Sequence, residues 1–182
     1  MKFGTGSEQR ELHRYHNVFE RQRLPDGQER LRIGPSRGHV DLMIELVECL
    51  PEPLRLLYIL IAAGGDRHQR GRYEAASGVS FEDAETFLRD FADFLQSDGR
   101  HHLWVASPGH GTVIYDRHEL LYAYGPIDRF VDVLRANGLH EGPLVIPTTH
   151  WHGCHPEFDE AQTRMLSRLQ WVHSPLRAGD DA

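Results

Sequence analysis

The apolar positions fall into two periods, and their alternation predicts the elements. Met43, Leu46, Val47 and Leu50 recur at helical spacing and stop at Pro51, predicting a helix over residues 39–50. Residues 54–62 are apolar at both parities, the mark of a central strand covered on two sides. Gly64-Gly65 breaks that strand, and residues 71–75 are predicted to return beside it. Ser80 followed by Asp83 forms an Asp variant of the capping box. The stripe Ala84, Phe87, Leu88, Phe91, Phe94 and Leu95 then predicts one helix ending at Asp98-Gly99.

Three short strands follow, over residues 102–106, 112–116 and 119–124, linked by Ser107-Pro108-Gly109 and Asp116-Arg117-His118. Pro126 opens a helix with Ile127, Phe130, Val131 and Leu134 on one face, closed by Asn137-Gly138. Residues 144–147 read as a strand. A last helix carries Phe158, Ala161, Met165, Leu169 and Val172. Upstream, the turn Leu24-Pro25-Asp26-Gly27 predicts a hairpin between Tyr15-to-Phe19 and Leu31-to-Ile33. The expected chain is a single α+β domain over residues 1–182. Residues 1–38 form a polar hairpin extension, 39–173 the core and 174–182 a frayed tail. Its sheet is antiparallel or mixed with helices packed on one face, and a ferredoxin-like core with added hairpins fits the order.

Composition narrows the function classes. No apolar run approaches the ~20 residues a bilayer span needs, and residues 1–8 lack the apolar region of a signal peptide. A cytoplasmic protein without membrane contact is therefore expected. The net charge of −7 disfavours nucleic acid, since Arg21, Arg23, Arg30, Arg32 and Arg37 are interrupted by Glu20, Asp26 and Glu29. An acidic surface instead suits a basic protein partner. Cys49 and Cys154 are too few for a disulfide framework and are expected as thiols.

The densest chemistry is His150-Trp151-His152-Gly153-Cys154-His155, followed by Glu157 and Asp159. On a strand, His150 and His152 share one face ~7 Å apart, close enough to converge on one metal, with His155 as third ligand after the bend at Gly153. Three ligands leave a coordination position for water, as a hydrolytic zinc requires. Against this, 13 histidines in 182 residues produce by chance roughly one six-residue window holding three of them.

Gly34-Pro35-Ser36-Arg37-Gly38 resembles the nucleophile elbow of the α/β-hydrolases, over these five residues only. With 35 residues before Ser36, the strands that fold places ahead of its nucleophile have no room. The loop of residues 64–71 is glycine-rich and basic but lacks the Lys-Ser/Thr of a phosphate loop. Asp98-Gly99-Arg100-His101-His102 and Tyr115-Asp116-Arg117-His118-Glu119 lie at predicted strand ends, where an Asp–His pair can hold an imidazole for acid–base work.

With no intact catalytic motif, the expectation is a non-catalytic, protein-recognising domain without cofactor. An acidic inhibitor or immunity-type protein is one concrete form. The alternative is a metal-dependent hydrolase that binds zinc through His150, His152 and His155.

Overall fold

A computed structural model describes residues 2–6, 11–62 and 68–180. Its strands are β1 (Phe3–Thr5), β2 (Glu11–Leu12), β3 (Val18–Arg23), β4 (Glu29–Gly34), β5 (Arg55–Leu60), β6 (Gly71–Ala75), β7 (His101–Ser107), β8 (Gly111–Tyr115), β9 (Leu121–Tyr124), β10 (His140–Glu141), β11 (His150–His152) and β12 (Trp171–Ser174). The helices are α1 (His39–Glu48), α2 (Phe81–Asp90), α3 (Ala92–Ser97), α4 (Ile127–Ala136) and α5 (Asp159–Arg168). The fold is α+β. No helix among the described residues is long and apolar enough to cross a membrane.

Nine strands form the main sheet in the order β10-β3-β4-β9-β8-β7-β5-β6-β12, antiparallel except between β10 and β3. This is a nearly continuous antiparallel run rather than the split β-α-β units of a ferredoxin-like core. Cross-strand register explains the core. Phe19, Ile33, Leu121, Tyr115, Leu103 and Tyr58 stand opposite one another across six strands, all with 0% exposure. Directly paired residues share a face, so this row forms one wall, and residues of all five helices join it in a single hydrophobic cluster. Burial of that wall is the main stabilising term of the fold.

Several elements depart from the sequence expectation. The hairpin β3–β4 is no extension: β4 pairs with β9 inside the main sheet. Residues 144–147 form no strand, since Pro143 and Pro147 carry no amide hydrogen for a ladder. Leu144 is still buried, against Phe3, Tyr15 and Leu120. The helix expected to run through Phe91 bends there, where φ −113° and ψ 12° leave the helical region, and splits into α2 and α3. Ser80 caps α2 as expected, accepting a hydrogen bond from the Asp83 amide. The last helix ends at Arg168, so Val172 lies on edge strand β12 with 60% exposure. The segment beyond Ser174, expected to fray, is tied back by an ion pair between Asp180 and Arg72. Of the loop 64–71, residues 64–67 lie outside the described residues.

The site rests on a second sheet of three strands, β11-β1-β2. Phe3 pairs with His152 and Thr5 with His150, so these four side chains share a face. Gly4 is required between them: a Cβ there would stand 2.3 Å from the Glu11 carbonyl oxygen and 2.5 Å from the Trp151 ring.

Candidate metal centre

Two segments distant in sequence meet at the Phe3 face of this small sheet. One is β11 with His150 and His152; the other is the β8–β9 turn with Asp116 and His118. That turn is tight because Asp116 organises it. Its Oδ1 accepts the amide hydrogens of His118 and Leu120, each at 2.9 Å. Glu119 adopts φ 61°, the left-handed conformation that carries the chain into β9.

Each of the three imidazoles is fixed through Nδ1. That of His118 lies 2.9 Å from Asp116 Oδ2, that of His150 2.8 Å from the Pro147 carbonyl and that of His152 3.1 Å from the Arg117 carbonyl. All three partners only accept, so each Nδ1 carries a proton, and the neutral form of each ring then presents its Nε2 lone pair. One ligand nitrogen from each ring lies within 4.8 Å of the other two. The ring centres are 4.8, 5.1 and 5.1 Å apart, with planes crossing at 73–78°. Phe3, fully buried, lies 5.4–5.6 Å from all three ring centres and gives the cluster an apolar floor.

The electrostatics suit neutral donors. Burial, and then the Arg117 charge, push the His152 imidazole down to about 3. Its Nε2 is buried and accepts no hydrogen bond among the described residues. Burial works to raise the Asp116 carboxyl, but the His118 hydrogen bond and neighbouring imidazoles outweigh it and hold the group below its usual range.

His155, expected as the third ligand, is held elsewhere. Its amide donates to Asp98 Oδ2 at 2.7 Å, its carbonyl accepts from Arg100 at 2.7 Å, and its ring lies 4.0 Å from Glu157. His118 takes its place in the cluster. The sequence carried a signal for it in the Asp-x-His spacing of residues 116–118, but no local pattern connected that turn to His150.

The other candidates resolve into structure. Arg100, 1% exposed, is a buried hub that donates to Asp98, Asp159 and Gln162 and ties the start of β7 to α5. His101 packs between Phe94 and Tyr58. Ser36 lies at the entrance to α1 with its amide on Asn17 Oδ1, and no histidine bonds its hydroxyl among the described residues. Cys49 is buried and Cys154 exposed, both as free thiols. Comparisons of the chain with protein-family models, curated proteins and solved structures found no match.

Proposed function

We propose that the protein is a metal-dependent hydrolase whose His118, His150 and His152 hold one zinc-type ion through Nε2. The observation that carries this reading is the common state of the three rings: Nδ1 satisfied in each, and one ligand nitrogen of each ring within 4.8 Å of the other two. Three imidazoles bound to zinc at ~2.0–2.1 Å in tetrahedral positions keep their centres about 5 Å apart, the spacing found here. Bound nitrogens stand ~3.3 Å apart, so metal binding would turn the rings until their nitrogens converge with little change in the ring centres, and exposed His150 has the room to turn. The Asp116–His118 pair is the carboxylate–histidine arrangement that orients a ligand and raises its basicity.

Three protein ligands would leave one coordination position for water. A zinc ion held by His118, His150 and His152 would supply a Lewis acid and a bound water of pKa about 7, the chemistry that hydrolysis uses. The protein-recognition reading rests on the lack of an intact catalytic motif and on the acidic net charge, and charge alone names no partner.

Calorimetric titration of chelator-treated protein with zinc tests the metal, and hydrolysis of an activated ester tests the chemistry. Stoichiometric, submicromolar binding that His118→Ala and His150→Ala lose and His155→Ala keeps is the expected result. Absence of binding, or its loss with His155→Ala alone, overturns the site.

A further inference from the structure

All five helices pack against one face of the main sheet, and the other face looks to solvent. Strand alternation turns Arg32, Tyr122, Ile114, Trp104 and Leu57 to that second face, and register sets them side by side on β4, β9, β8, β7 and β5. A second row runs beside them on the same five strands: Arg30, Tyr124, Thr112, Ala106 and Arg55. None of the ten belongs to the cluster that the helices bury, and all but Ile114 are half-buried or exposed.

The charge of this face is opposite to that of the chain. Its two rows hold three arginines, three aromatic rings and no acid, in a protein of net charge −7. Glu20 and Glu74 stand only at the margins, on β3 and β6, where Glu20 pairs with Arg32 at 3.0 Å. Arg30 meets neutral partners, Gln22 and Tyr124, and Arg55 is exposed with no ion pair among the described residues. The Arg30 guanidinium also lies over two rings, 5.0 Å from the centre of Tyr122 and 5.9 Å from that of Tyr124. Four inter-strand steps set Arg30 and Arg55 about 19 Å apart, with Tyr124 and Trp104 on the strands between them.

We propose that this face binds a single strand of nucleic acid and leads it to the metal centre. Bases stack on tyrosine and tryptophan rings and on guanidinium planes whatever their sequence, while the phosphates between them call for cations beside the rings. An acidic peptide would use the arginines and leave the rings idle. A second copy of the face would bring the same cations and no acid to meet them. The surface also adjoins the histidines. Asp116, which holds His118, comes two residues after Ile114, and Tyr122 packs against the Phe3 and Tyr15 cluster beneath the three rings. Binding of the strand is independent of the metal reading, but the substrate class rests on it: the hydrolase would act on a phosphodiester. The water oxygen joins phosphorus, the P–O bond to one sugar breaks, and that sugar oxygen leaves with a proton from the water.

Fluorescence anisotropy of chelator-treated protein with a labelled single strand of about ten nucleotides, as DNA and as RNA, tests the binding. Saturable binding to either is expected, weakening about sevenfold between ~50 and ~200 mM salt, since two neutralised phosphates give a logarithmic slope of about −1.4. Arg55→Gln, at an exposed position, should reduce that slope by about 0.7. Tyr124→Leu, which keeps an apolar side chain, should weaken binding at least about fivefold. If circular dichroism shows that Tyr124→Leu does not fold, the Arg55→Gln slope decides alone. No saturation at ~100 μM protein in low salt, an unchanged slope in Arg55→Gln, or a sedimenting dimer that Tyr124→Leu dissociates overturns the binding. Zinc added to the bound strand should then shorten it on a denaturing gel. A strand left intact by protein that binds zinc overturns the substrate class and leaves the surface standing, whereas strand binding without zinc binding removes the metal reading alone.

Discussion

Replacing Asp116 by Asn exchanges one carboxylate oxygen for an amide NH2 and removes the charge with almost no change in volume, and it isolates the role of the carboxylate behind His118. The Asn carbonyl oxygen can still accept the amide hydrogens of His118 and Leu120, which Oδ1 holds at 2.9 Å, so the turn keeps its geometry. The amide nitrogen then occupies the place of Oδ2, 2.9 Å from His118 Nδ1. A donor now faces a donor, and the imidazole escapes only by moving its proton to Nε2, which removes the lone pair a metal needs. Flipping the amide would instead set its donor against two backbone donors, which is worse. Disruption of such an outer partner costs about 10–100-fold in metal affinity, or about 1.4–2.8 kcal/mol. Loss of the charged hydrogen bond costs the fold about 1.5–3 kcal/mol. Zinc titration of Asp116→Asn beside wild type measures the first quantity and denaturant unfolding the second. Long-range nitrogen–proton correlation spectra report the His118 tautomer directly. A folded Asp116→Asn protein with wild-type zinc affinity would refute the reasoning.

Three further outcomes follow from burial and charge. Phe91, 7% exposed at the α2–α3 bend, should cost about 3–5 kcal/mol when truncated to Ala, read by denaturant unfolding. Arg100→Met should destabilise by about 3–5 kcal/mol, because Asp98 at 0% exposure is left buried without its partner, and a change under one kcal/mol would contradict the hub. His39, His101 and His102 all have imidazoles pushed down chiefly by burial, His39 and His102 to about 4. The unfolded chain therefore binds more protons than the fold between pH ~6.5 and ~4, and stability present above ~6.5 is lost on acidification, by up to ~1.4 kcal/mol per pH unit for each histidine. Unfolding free energies that stay flat across that interval would contradict the assignment.

Local pattern alone determined much of the secondary structure. The periods of residues 39–50, 84–95 and 127–134 correspond to α1, α2–α3 and α4, and the Ser80 cap stands where the spacing placed it. Helix period and capping depend on near neighbours, so they are readable without a fold. The same holds for the meander β7–β8–β9, whose turns lie inside its own sequence. What the segment 140–174 would do was not readable. There the prolines suppress one strand, His140–Glu141 adds to a distant hairpin, and Trp171–Ser174 becomes an edge strand only because β6 is there to pair with. The candidate site divides along the same line. His150 and His152 share a face by strand alternation, which the sequence states. His155 looked equivalent, but its backbone is bound to Asp98 and Arg100. His118 replaces it because β1 inserts between β11 and β2 and brings the β8–β9 turn against His150 and His152. Two ligands on one strand follow from local geometry; the third is set by long-range packing, which no spacing within the chain encodes.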